Sequence, residues 1–348
     1  MRQHSTYINP NIANQPAAYV IYKDNTSYYA KEGLTGTVIY TDTDAASVIN
    51  DALAGASHGQ IIMRTGIYDI TDRLTIPDNG ISLVGEGRNT ILNVANGVND
   101  TAIYSTGNDD VCVSNFTLNC NKANQNAGNG VQIMEGDRTS IFDMRITNAF
   151  ASGIEVRGRH LGIYDNVIED GGGAGVTLAS LGVLLDGING YNVKMSGNTV
   201  TGCLRGLDAG PWEYSMVSGN TFDNCTATDY AIIAGINYST FTGNVINNCK
   251  GGGTCAGVGV TFGDLVVGNN VFSECSTGVK VVTGAFSMDS AISNNLFIAV
   301  NTPIAVSAGV LRTVVTNNIW RGCGANVVDG GIDTFVHNNV DKTGAWVP

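Results

Sequence analysis

Two acids and an arginine carry the densest chemistry in this 348-residue chain. Glu155 and Arg157 stand in GIEVRGRH, and Asp208 stands in RGLDAGPWEY. Two carboxyls held roughly 6.5–9.5 Å apart can split a glycosidic bond with inversion: one protonates the departing oxygen while the other activates a water on the opposite face. In that reading Glu155 and Asp208 are acid and base, and Arg157 or Arg205 orients the substrate. Thr177, His160, Glu213 and Tyr214 surround the pair, and the faces of Trp212 and Tyr214 suit sugar rings. The same residues also fit a plainer arrangement. Glu155 and Arg157 would then be a surface ion pair worth under about 1 kcal/mol, Asp208 would hold a turn, and Trp212 would cover the core. Choosing between the two requires the elements that position residues so far apart in sequence.

Those elements repeat. MVSGNTFDNC, residues 216–225, has near-copies in KMSGNTVTGC, TFTGNVINNC, VVGNNVFSEC and VVTNNIWRGC. The shared asparagines are Asn198, Asn220, Asn244, Asn270, Asn295, Asn318 and Asn339, with steps of 21 to 26 residues. Asn166 stands one longer step before them, and Asn115 with Cys120 repeats the spacing earlier still. A period in the low twenties marks a solenoid. Each unit also holds a short alternating segment opened by a small residue: GIEV, GVTL, GLDA, AIIA, GVGV, GVKV and PIAV. Such alternation between turns reads as a strand with one buried face. Leucine is too scarce for a leucine-rich repeat. The expected fold is all-β, a right-handed parallel β-helix of about ten rungs stacked at roughly 4.8 Å.

Stacking like residues explains the motif. Asparagine tolerates the left-handed backbone of a sharp turn, and stacked side chains bond from rung to rung. Cys203, Cys225, Cys249, Cys275 and Cys323 become an inward column of free thiols, with Val300 filling the gap. Parallel Cβ vectors suit disulfides poorly, and a column without histidine does not converge on zinc. With Ile154, Val176, Leu207, Ile232, Val258 and Val279 inward, alternation turns Glu155, Thr177, Asp208, Ile233, Gly259 and Lys280 outward. Glu155 and Asp208 then stand two rungs apart, about 10 Å between backbones.

Bulk composition narrows the partners. A net charge of -12 argues against nucleic acid, whose phosphates call for lysine and arginine. It is compatible with a neutral polysaccharide, with Ca²⁺ on carboxylates, or with solubility alone. No run of eighteen apolar residues offers a transmembrane helix, and the first twenty residues lack an apolar signal core. A cytoplasmic protein, a trimmed one and a particle component exported without a signal all fit; the expected setting is extracellular or on a virion or cell surface.

Residues 1–57 read as an N-terminal extension, a hairpin and a capping helix, and 58–348 as the β-helix. The helix falls within DTDAASVINDALAGA, with Asp44 as N-cap, Val48, Ile49, Ala52 and Leu53 on one face, and Gly55 as its stop. The order DAASVINDAL, then GQIIMRTGIYDITDRLTIPDNGISLVGEGRNTIL, resembles the N-terminal part of pectate-lyase-like β-helix proteins. With the repeat, the resemblance spans roughly residues 40–340. Such chains include polysaccharide lyases, glycoside hydrolases, epimerases, tailspikes and surface proteins, so the resemblance specifies fold more than activity. It implies a carbohydrate site in an outward groove of one long sheet. The lyase run R-x-P-x-x-R, the epimerase D-P-H and the Ca²⁺-binding G-G-x-G-x-D are absent, and of the polygalacturonase signatures only Asp109-Asp110 matches. No cofactor is implied, and no motif supports Ca²⁺. The expected function is cleavage of a long polysaccharide by hydrolysis or elimination; the alternative is a non-catalytic glycan- or receptor-binding rod. The rod reading admits a homotrimer.

Overall fold

The structure, a computed structural model, describes residues 17–178, 190–249, 255–261, 263–282, 289–324, 327–341 and 346–347. In them the chain winds as a right-handed parallel β-helix of about ten turns. Each coil gives one strand to each of three long sheets. Cys112–Ser114 lies in sheet A, Thr117–Asn119 in sheet B and Val131–Asp137 in sheet C; Ser140–Phe142 then returns to pair with Cys112–Ser114. Pairing between rungs is parallel and largely in register, so like residues stack. The core is built of such columns, including Ile141, Ile163, Met195, Val217 and Phe241 in sheet A, and Ile168, Val200, Phe222, Ile246 and Phe272 in sheet B.

The N-terminal hairpin continues the rod. Tyr19–Asp24 pairs antiparallel with Ser27–Glu32 and parallel with Gly59–Met63, which extends sheet A past the first coil. The helix Ala45–Gly55 packs across this end on Leu74–Ile76, Ser27–Glu32 and Val38–Asp42, burying Val48, Ile49, Ala52 and Leu53. The Asp44 carboxylate accepts from the Ala46 N–H at 3.1 Å, the expected N-cap. Gly55 has a different role from the one expected. It is the last helical residue, and Ala56 caps the end through its N–H to the Ala52 carbonyl. A Cβ at Gly55 would lie 2.5 Å from the Tyr40 hydroxyl and 2.8 Å from that of Tyr19, so the position is held small by packing.

The asparagine ladder runs from Asn166 to Asn339, every member at most 1% exposed. Asn244 is typical. Its Nδ2 donates to the Asn270 Oδ1 and the Val217 carbonyl, while its Oδ1 accepts from the N–H and Nδ2 of Asn220. The left-handed residue is the one before each ladder asparagine, such as Gly219 (φ 65°), Asn269 (φ 56°) or Asn317 (φ 56°). Turn and ladder are therefore neighbouring positions, where the sequence pattern merged them. Asn115 belongs to the turn position (φ 64°) and bonds to the Gly85 carbonyl. One rung later Met144 occupies the ladder position and only donates its backbone N–H to Asn166, so the ladder starts there.

No disulfide joins any of the eight cysteines, and Cys203, Cys225, Cys249 and Cys275 are buried. Burial pushes the Cys120 thiol up to about 12 and the Cys203 thiol up to about 11, against about 8.5 for an exposed thiol. The unfolded chain thus releases these protons first, and their contribution to stability is complete below pH 8 and lost as pH climbs toward the folded values. The urea midpoint should fall between pH 9 and 11, and less steeply in Cys120→Val. Equal slopes in the two proteins would refute the assignment.

Candidate functional site

Sheet C carries the acids. Its register pairs Gln132 with Glu155, Glu155 with Thr177, Thr177 with Asp208, and Asp208 with Ile233. Ile154, Leu207 and Ile232 are buried beside them, so alternation turns Glu155 and Asp208 outward in one column, two rung spacings apart, about 10 Å. Thr177 occupies the rung between.

The partners of each charge define the column. Glu155 Oε2 accepts from Asn129 Nδ2 at 2.7 Å and from Gln132 Nε2 at 2.9 Å, both on the preceding coil. Arg157 bonds to Glu135 across the rungs, so the Glu155–Arg157 pair is not formed. Glu135 sits at an irregularity between Met134 and Gly136 with φ 60°, which swings it toward Arg157. Arg205 bridges two carboxylates: Nη1 reaches Asp208 Oδ2 at 3.0 Å and Nη2 reaches Asp229 Oδ2 at 2.6 Å. Burial alone would raise the Asp229 carboxyl, but the Tyr230 N–H and the Arg205 guanidinium outweigh it and hold it below the usual carboxylate range. Arg205 is thus fixed from both sides beside Asp208.

For Trp212 the core-covering reading holds and the sugar-facing one does not. Its ring is completely buried and cannot offer a face to a sugar. The run GLDAGPWEY, which Gly and Pro mark as a loop, lies mostly in one nine-residue strand, Arg205–Glu213, with a shift in pairing between Ala209 and Trp212. A bulge absorbs Gly210 and Pro211 and sends Trp212 into the core, where its backbone pairs with Ile236 and Gly190. The run 179–192, which the long step from Gly175 to Gly206 marks as a bulging loop, lies mostly outside the described residues; Gly190–Tyr191 pairs beside Arg159 and Trp212–Glu213.

His160, Glu213 and Tyr214 flank the acids at a distance. His160 follows Glu155 by five residues along its strand, roughly 16 Å at 3.3 Å per residue. Its Nδ1 lies 2.7 Å from Asp137 Oδ1. Tyr214 is exposed past the end of the Asp208 strand, and Glu213 before it is half-buried. The structure therefore places Glu155, Thr177 and Asp208 on one register column, with Arg205 reaching Asp208 from three residues earlier on the same strand and Arg157 two residues past Glu155, and sets His160, Glu213 and Tyr214 at the C-terminal ends of their strands. Sequence reasoning missed Asn129, Gln132 and Asp229, which hold the column through contacts between rungs. Their signal was the register, one repeat from Glu155 or Asp208.

Residues 60–227, just under half the chain, match the family model described as a right handed beta helix region. An alginate lyase from Paenibacillus sp. str. FPU-7 superposes with TM-score 0.59 at 13% identity, over 83% of this chain and 97% of that one. The catalytic unit of a thermostable GH87 alpha-1,3-glucanase from Streptomyces thermodiastaticus strain HF3-3 gives TM-score 0.58 at 13% identity, over 88% and 68%. A DFA-IIIase from Arthrobacter chlorophenolicus A6 gives 0.57 at 14%, over 86% and 88%. No curated protein matches the chain in sequence. At these identities the likeness is one of fold.

Proposed function

From the premise that this chain is a right-handed parallel β-helix, we propose that it acts on a polysaccharide along the outer face of sheet C and cleaves glycosidic bonds there by hydrolysis. The observation that carries the reading is the column Glu155–Thr177–Asp208, two carboxylates in register with one uncharged rung between them. Two rungs put the carboxyls near the roughly 6.5–9.5 Å separation that leaves room for a water opposite the leaving group. The alginate lyase and the alpha-1,3-glucanase support the substrate class by their names.

In this mechanism Asp208, bound by cationic Arg205, is the base. It takes a proton from water as that water's oxygen attacks the anomeric carbon. Glu155, with Oε2 held by two neutral amides, presents its other oxygen to the glycosidic oxygen and gives it a proton as the carbon–oxygen bond breaks. Both products leave neutral and the two acids exchange their proton through solvent. The test is a screen of neutral and acidic polysaccharides for new reducing ends, with ultraviolet absorbance read in parallel for unsaturated products. Reducing ends without unsaturation are expected. Unsaturated ends would replace hydrolysis by elimination, and no release from any glycan would reject the catalytic reading.

A further inference from the structure

The backbone is left-handed where each strand of sheet C turns into sheet A. Every rung from Asp110 to Asp333 places a left-handed residue there, with φ between 50° and 58°. Asp110, Asn192 and Asp264 suit that backbone, because their short polar side chains bond locally. Arg138 and Arg312 use the position to clasp Asp110 and Asp289 of the preceding rungs. Two adjacent rungs instead carry Tyr214 (φ 52°) and Tyr238 (φ 50°), bulky residues that this backbone disfavours.

The two rings stack on each other, with centroids 5.4 Å apart and planes 17° from parallel. Tyr191 extends the stack at 6.3 Å, and the Arg159 guanidinium lies 6.0 Å from the Tyr191 ring. Tyr214 and Tyr238 stay 56% and 57% exposed. The result is a narrow ledge of three phenols and one guanidinium over neighbouring rungs, with Arg159 ending the strand that carries Glu155 and Tyr214 following the strand that carries Asp208. Strain retained at an exposed aromatic stack points to a ligand. The ledge is one ring wide and runs along the rod, which matches an extended polymer and not a broad protein face. Its apolar rings with hydroxyl rims suit pyranose C–H faces and hydroxyls, and the neighbouring Glu213 and Asp264 favour an uncharged chain.

We propose that Tyr191, Tyr214 and Tyr238, with Arg159, form a holding site for a neutral polysaccharide, separate from the acid column. The proposal rests on the reading that the ligand is a glycan, and it adds where the polymer is gripped and that it is uncharged. Native gels cast with xylan, laminarin, dextran or polygalacturonate test it. At least one neutral glycan should retard the wild type and Glu155→Gln alike. Tyr214→Asn with Tyr238→Asn should weaken that retention about tenfold or more while raising the melting temperature, because asparagine suits the turn. Tyr214→Phe with Tyr238→Phe should keep most of it. Undiminished retention in the asparagine double variant would overturn the ledge and leave the glycan reading standing, whereas no retention of the wild type in any gel would end both. Retention in polygalacturonate alone would overturn the neutral class. A lowered melting temperature in the asparagine variant, or a dimer in light scattering that this variant abolishes, would assign the rings to packing or self-association and overturn the proposal.

Discussion

Asn244→Ala should destabilise the rod by about 3–5 kcal/mol, more than any single polar substitution on its surface. The residue is buried in mid-ladder and takes part in four hydrogen bonds through one side chain. Alanine removes all four. Asn270 Oδ1 keeps an acceptor bond from the Asn244 N–H, and Asn220 Nδ2 keeps its carbonyl partners. The backbone N–H of Asn220 and the carbonyl of Val217 are left without these partners in the interior, at about 1–3 kcal/mol each, and the lost volume adds to that. The exposed Asn301→Ala is the control, expected within about 0.5 kcal/mol of wild type. Urea titrations of the three proteins measure the difference. A change below about 1 kcal/mol for Asn244→Ala would mean that the ladder satisfies the turns without stabilising the coil.

Glu155→Gln should lower kcat on the cleaved glycan by roughly 10²–10⁴ with the fold intact. Glutamine keeps an oxygen that can accept from Asn129 and Gln132, so the column stays assembled and only the transferable proton is lost. Asp208→Asn should act on the same step, with Arg205 still anchored by Asp229. Because the two acids serve one transition state, the double variant should fall little below the worse single one. Reducing-end assays on the three variants decide the matter. Activity surviving in the double variant would move the chemistry off this column, and multiplied losses would show two independent defects.

Much of this architecture could be read from spacing alone. The apolar alternation in GIEV, GLDA and AIIA placed Glu155 and Asp208 on one outward column, because a coil that returns every twenty-odd residues must stack like on like. The helix was legible from Asp44 and its apolar stripe. What escaped were features decided between rungs. Gly210 and Pro211 looked like a loop, yet a bulge let pairing continue and buried Trp212. The ladder and the left-handed turn sit on adjacent residues, too close for repeat spacing to separate. Arg157 chose Glu135 over its strand neighbour Glu155, and that choice needed a bulge in the previous coil. The stack of Tyr191, Tyr214 and Tyr238 crosses coils in the same way.

The asparagine ladder also gives the molecule an arrow. Each amide points its N–H toward the next rung and its oxygen toward the previous one, from Asn166 to Asn339. Eight small dipoles lie head to tail, and each bond polarises the ones beside it. Links at the centre gain from both directions, whereas the two at the tips gain from one. The rod should therefore behave less like a block that melts at once than like a cord that frays from its ends, with amide exchange slowest around Asn244 and Asn270.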